Sequence, residues 1–487
     1  MEKAKQLQSL SFHDYHVHPV LDSPTRAMSP TLPLMAYSHI LRRKSFLAVC
    51  ALLSLLSLGL VTSLSLGHHP VSLSIPGYSS SHHPSDVVWV SERKSAVVGS
   101  PTARFRDNLR NDTQYITSWI SAGWTNDVMT YANLIYLALI TERVPIVGYW
   151  LPSHTGGDVG PVPFSEVFDI EYLSNSIGVP VLEWDDVKDK DSTEMEDLGC
   201  WSVWEAVQTR EGPRITYADQ YQKLDISWTP APVSIQTFPG NEHDPHALFW
   251  SVAELTYPDK RATSLSAPHP SAHHGTTLPP DEHLACFDYL YYTAASTSFE
   301  WDSDHSPAWR FVAKHFRWTE RLQNIADGYL KRIFHTPESD PIPPYIAIHA
   351  RHGDFKNYCG DYSLEDCFAS MDVYARRVAE IQEEAMERYG VVPEHVIVLS
   401  DEKDPVWWNQ VRERGWYLVE SEITTDILET HNSWYPVFVD AVIQSSGLGF
   451  IGTASSTMST LARRRVEDWN KGITRTVQWG RPGADDH

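Results

Sequence analysis

Apolar positions follow three different rhythms along this chain. The first is an unbroken block, Ser45 to Gly67 (SFLAVCALLSLLSLGLVTSLSLG), which contains no charged residue. As a helix it is long enough to cross a hydrocarbon core of about 30 Å. Arg42, Arg43 and Lys44 stand immediately before it, and positive flanks stay on the cytosolic side. The expectation is a signal anchor at 45–67, a cytosolic tail at 1–44 and a luminal remainder. That is a single-pass type II protein of the Golgi or endoplasmic reticulum. A cleaved signal peptide rarely has so long a leader. Residues 68–100, rich in Ser, His, Pro and Gly, have no sustained period and suit a stem.

The second rhythm starts at Tyr115. A turn-forming run, Trp119 to Asp127, precedes a dense apolar segment from Val128 to Ile140. Thr125 or Asn126 is the expected helix cap, and Val144–Tyr149 reads as a short strand. The third rhythm is an alternation. The strand Tyr345–Ile348 runs into His349–Phe355, and a capping box at Ser363 opens a long helix ending near Gly390. The strand His395–Ser400, a helix over Pro405–Arg414, the strand Trp416–Val419 and a helix over Trp434–Ser445 follow. Phe450-Ile451-Gly452 then leads through Thr453–Ser456 into a last helix through Val466. Strands alternating with helices predict a parallel, doubly wound α/β sheet, whose ligands sit beyond the carboxyl ends of the strands. Residues 349–354 and 452–458 both fall at that edge. Two domains are expected, 101–335 and 336–487, the first interrupted by a low-complexity surface loop near 262–283.

The formal net charge of −23 argues against a nucleic-acid partner, which needs a basic face. A diphosphate needs only one or two well-placed cations. Arg351, at the end of a buried strand, is the first candidate, with an ion pair to Asp354 or another acid as its ordinary alternative. Gly452–Met458 has the small residues and hydroxyls of a phosphate cradle at a helix start, or of a plain N-cap. Asp302-Ser303-Asp304 and Asp189-Lys190-Asp191 have the form of a metal-binding Asp-x-Asp, as acid-rich loops often do by chance. The histidine pairs 68–69, 82–83 and 273–274 read as solvated loop residues. Beyond Cys50 four cysteines remain, and three pairings are open; Cys359–Cys367 with Cys200–Cys286 is the expected one. Asn111-Asp112-Thr113 is the single glycosylation triplet.

HARHGDF after a strand, then DAVIQSSGLGFIGTASSTMS and RRRVEDW, resembles the GDP-fucose protein O-fucosyltransferase superfamily in a divergent, fungal-like form. GWTNDVMTYANLIYLALITERVPIVGYW resembles that family's N-terminal donor loop and first helix. The resemblance implies a GT-B-like fold of two Rossmann-like domains facing a cleft. It also implies inverting, metal-independent transfer of fucose from GDP-fucose to a protein or glycan acceptor, with no further cofactor. His349, Ala350 and Arg351 match the His-x-Arg segment, whose arginine contacts the diphosphate. Gly123, Trp124, Thr125, Asn126 and Asp127 match the donor loop. Asp440 matches an acid that helps hold the nucleotide, and Ser456, Thr457 and Met458 match the Ser-rich loop. Where some members carry an arginine or a catalytic glutamate, this chain has Ser121-Ala122-Gly123-Trp124. No base is assigned, and Asp127 and Asp354 are the carboxylates to test. The missing base also motivates a second expectation, a degenerate, membrane-tethered protein that binds GDP-sugars without turnover.

Overall fold

The computed structural model describes residues 93–152, 159–208, 212–237 and 246–486. The tail, the anchor and the stem up to residue 92 lie outside the described residues. Among the described residues no helix is long and apolar enough to cross a membrane.

The described residues form thirteen short strands: β1 (Tyr115–Ser118), β2 (Val144–Val147), β3 (Leu182–Glu183), β4 (Glu196–Ser202), β5 (Leu224–Pro230), β6 (Ala247–Leu248), β7 (Leu284–Phe287), β8 (Thr293–Ala294), β9 (Tyr345–Ala350), β10 (His395–Ser400), β11 (Tyr417–Leu418), β12 (Gly449–Thr453) and β13 (Ile473–Val477). They form a sheet ordered β3-β2-β1-β7-β4-β5, a second ordered β11-β10-β9-β12-β13, and a small β6-β8 pair. The ladder pairings are parallel, as the strand–helix alternation predicts. β1 and β9 are central and fully buried, which explains their lack of in–out alternation. The second sheet runs β9, β10, β11 to one side, then β12, β13 to the other. Its winding therefore reverses between β9 and β12, which is where open α/β sheets leave a crevice at their carboxyl edge.

Helix α1 (Trp124–Thr141) follows β1 and is buried on nearly all sides, as a helix apolar around its whole circumference must be. Its first residue, Trp124, packs against Trp150, Phe168, Trp318 and, from the C-terminal half, Phe438. One apolar core accordingly runs through both halves. Helices α2 (Glu320–Phe334), α3 (Met371–Tyr389), α4 (Tyr435–Ser446) and α5 (Thr457–Asn470) complete the C-terminal frame.

Some boundaries differ from expectation. The cap of α1 is Gly123 rather than Thr125 or Asn126, because Asp127 takes the Ala122 N–H at 3.1 Å and turns the chain two or three residues earlier. Ser363 does cap a helix, but only Leu364–Cys367. Phe368, held against the ring of His352 at 4.2 Å, is extended and separates that turn from α3. A helix at Ser421–Thr430 and the edge strand β13 carry too few apolar residues to stand out beforehand. The insert is partly ordered structure: Pro258–Ser264 is helical, and His269, Asp281 and Leu278 bond back to β4 and β5. His273 and His274 are exposed but pair with Asp219 and Asp197. Cys200–Cys286 and Cys359–Cys367 are both formed.

Candidate donor site

The site grows from three chain segments that leave the carboxyl ends of β1, β9 and β12. Gly452 lies opposite His349 in the β9–β12 ladder, so the last two segments start side by side. Thr453 locks them: its hydroxyl donates to the His349 carbonyl at 2.9 Å and accepts the Arg351 N–H at 3.0 Å. The Ser459 hydroxyl accepts the Thr453 N–H at 2.9 Å and meets His349 Nδ1 at 2.8 Å. Burial and the neighbouring Arg351 charge push the His349 imidazole down to about 4, so it stays neutral and acts as a polar strut. Ala350 is fully buried and contributes its carbonyl, which accepts from Ser400.

Arg351 lies at the rim of this strut. Its fork is one-third exposed and reaches Asp354 at 2.5 Å and Asp401. The ion pair that sequence reasoning kept as the ordinary alternative is therefore present, and it is double. Asp401 also accepts the N–H groups of His352 at 2.8 Å and Gly353 at 3.1 Å. A Cβ on Gly353 would fall 2.1 Å from an Asp401 oxygen, so glycine is required for the loop to close over that carboxylate. Asp401 was missed in the sequence, where a carboxylate just past a strand is commonplace. Only the β9–β10 pairing marks it.

The β12 segment turns sharply through Ser455, at φ +65°, and Ser456 caps α5 by accepting the Ser459 N–H. The open N–H groups of that first turn offer partial positive charge to an anion. Thr457 then meets the other half: its hydroxyl lies 2.7 Å from that of Thr125, in the first turn of α1. Met458 packs on the shared core. Two helix starts, one from each half, thus meet at this contact.

The β1 segment is braced from below. Arg214 donates to the Ser121 hydroxyl at 2.7 Å and its carbonyl at 2.8 Å, with its guanidinium over Trp204 and Tyr289. The Arg214 N–H is in turn held by buried Asp288, which joins the ends of β4 and β7. None of this brace was marked beforehand, since its parts lie far apart in the chain. Trp124 has its indole in the core, so it positions the loop by packing. Asn126 is half-buried, and its carbonyl accepts from Thr130.

The remaining candidates divide. Asp127 is buried, its carboxyl pushed well up by burial, and it is committed to the loop backbone. Asp354 is exposed and committed to Arg351. Asp440 lies on α4, two residues past the Phe438 that packs on Trp124. It makes no hydrogen bond or ion pair among the described residues, and burial pushes it up to about 7. Asp302 and Asp304 pair with Arg463 at 3.2 Å and Arg464 at 2.6 Å on α5.

This geometry joins a guanidinium, a helix N-terminus and hydroxyls at one carboxyl edge, the equipment of a diphosphate site. A family model described as O-FucT, GDP-fucose protein O-fucosyltransferase, matches residues 115–467, spanning every one of these segments. The chain belongs to the GDP-fucose protein O-fucosyltransferase family. It is, by that membership, a fucosyltransferase. Among solved structures, POFUT1 in complex with GDP-fucose is 14% identical, covering 76% of this chain and 99% of its own, with a TM-score of 0.46. Fucosyltransferase NodZ from Bradyrhizobium is 14% identical, covering 72% and 93%, with a TM-score of 0.36. A search of curated protein sequences finds no match.

Proposed function

We propose that this O-fucosyltransferase family member transfers fucose from GDP-fucose to a protein or glycan hydroxyl, with inversion and without a metal ion. The observation that carries the reading is the contact of Thr125 with Thr457, on the same segment after β12 whose Thr453 hydroxyl accepts the Arg351 N–H. It supports one donor straddling both halves. As the sugar leaves, negative charge builds on the diphosphate. A guanidinium fork and aligned N–H groups stabilise that charge without proton transfer. Metal independence rests on the family resemblance; Asp302 and Asp304, the Asp-x-Asp of the sequence, pair with Arg463 and Arg464 on α5. The membrane anchor at 45–67 and a luminal domain belong to the same proposal, and the two disulfides suit an oxidising compartment.

A second reading has its own support. Both carboxylates considered as the base are committed, Asp127 to the loop backbone and Asp354 to Arg351. A protein that binds GDP-fucose without passing the sugar on would look the same. Release of GDP from GDP-fucose, measured over a panel of protein and glycan acceptors, separates the two. Transfer is expected, with Arg351→Ala lowering turnover by about 10²–10³-fold in a still-folded protein. Binding of GDP-fucose with no turnover on any acceptor would favour the second reading, and no binding of any GDP-sugar would overturn both.

A further inference from the structure

A pocket of about 530 Å³ opens at the edge of the first sheet opposite to the donor segments; Asn111, Gln114, Arg143, Tyr257, Glu282 and His283 are among its walls. Gln114, Arg143 and His283 stand immediately before β1, β2 and β7, so this is the amino edge of a parallel sheet. Reactants bind at the other edge. The pocket is therefore separate from fucosyl transfer.

Its chemistry narrows the occupant. Arg143 looks like an anion anchor but is spent: it donates to the carbonyls of Tyr115, Thr256, Glu282 and His283. The His283 ring meets the carbonyls of Arg110 and Thr113 at 2.9 and 2.8 Å. Glu282 faces Arg261. What remains for a ligand is the half-exposed ring of Tyr257 (48% exposed), the Gln114 amide and the outward part of the exposed Glu282 carboxylate. An aromatic face beside amide and carboxylate groups suits a neutral, hydroxyl-rich molecule, that is, a saccharide.

Asn111 itself lines the pocket and begins the chain's single Asn-x-Thr triplet. It is exposed in a turn closed by the Thr113 N–H on the Arg110 carbonyl, and rigidified by Arg110 gripping Asp112 at 2.8 and 3.0 Å. We propose that Asn111 carries an N-linked glycan whose first sugars lie in this pocket against Tyr257. The inference rests on the luminal reading above. The co-reactant is a lipid diphosphate-linked oligosaccharide. The Asn111 amide nitrogen bonds the anomeric carbon, the bond from that carbon to the diphosphate breaks, and one amide proton is lost.

The test is the full chain expressed in a secretory eukaryotic host. Digestion with a peptide N-glycosidase is expected to shift its mass and convert Asn111 to Asp, and Asn111→Gln or Thr113→Val should abolish the shift. Tyr257→Ala is expected to lower the Tm of the glycosylated protein by about 3 °C more than it lowers that of the Asn111→Gln protein. Equal Tm changes in the two backgrounds would overturn the pocket assignment. No glycan on a protein whose four cysteines are oxidised would overturn the Asn111 assignment alone. No glycan together with free thiols would overturn the luminal reading on which it rests.

Discussion

Asp440 is the residue where structure and expected role pull in opposite directions. To accept hydrogen bonds from a nucleotide base its carboxylate should be ionised, yet burial holds it near 7 with no cation opposed to it. An acid raised in the folded state favours folding in its neutral form. Its contribution is fully present below about 4 and is lost as pH rises through about 7. Replacing it by asparagine should remove that loss, so Asp440→Asn is expected to melt higher than the parent at pH 8 and alike at pH 4. Binding should run the other way. The ionised fraction of a group titrating near 7 rises about tenfold between pH 6 and 8, and GDP affinity by calorimetry should rise with it in the parent. A flat response in Asp440→Asn is the matching expectation; an equal rise in both would remove Asp440 from the nucleotide site. Asp401 presents a simpler case. It orients the Arg351 fork and two loop N–H groups at once, so Asp401→Ala should lower kcat/KM by about 10–100-fold, the worth of a charge-assisted hydrogen bond. Asp401→Asn should recover part of that. Arg351 could be read from the chain because strand, glycine and arginine are contiguous there. Asp401, Arg214 and Asp288 could not, because their meaning comes from which strands lie side by side.

At the scale of elements, a run of apolar residues announced α1, β2, β9, β10 and β12. Elements with mixed sequences, such as β13 and the Ser421–Thr430 helix, are held by their neighbours and left no such trace. The junctions were harder still. The first turn of α1 was displaced by one buried carboxylate, Asp127, and the expected long helix after Ser363 was split by Phe368 stacking on His352. Both are tertiary contacts overriding a local cap. The Arg351 loop is the junction most open to test. With Gly353 closing on Asp401, Gly353→Ala cannot keep both the loop and the carboxylate in place. Because the loop is peripheral to the core, the expected outcome is a large fall in GDP-fucose turnover with a Tm within a few degrees of the parent. A Tm collapse would mean that the loop is part of the folding core, and unchanged turnover would mean that its shape is not needed.

For the whole molecule, the question is which cross-links hold the frame and which hold the site. Cys200–Cys286 joins β4 to β7 inside the first sheet across 86 residues, whereas Cys359–Cys367 closes 8 residues directly behind the Arg351 segment. Loop-closure entropy assigns about 4–5 kcal/mol to the long link and about 2–3 kcal/mol to the short one. Their consequences for activity should be reversed. The first link lies in a sheet already held by ladder bonds and a buried apolar face. Cutting it should lower Tm sharply and leave kcat/KM of the folded protein unchanged. The second fixes Cys367, whose carbonyl accepts the Gly480 N–H at 2.7 Å and whose neighbour Phe368 supports His352. Paired alanine substitutions there should cost less in Tm and more in kcat/KM. If the long link instead governs turnover, a change in the first sheet reaches the Arg351 segment through the core that the two halves share.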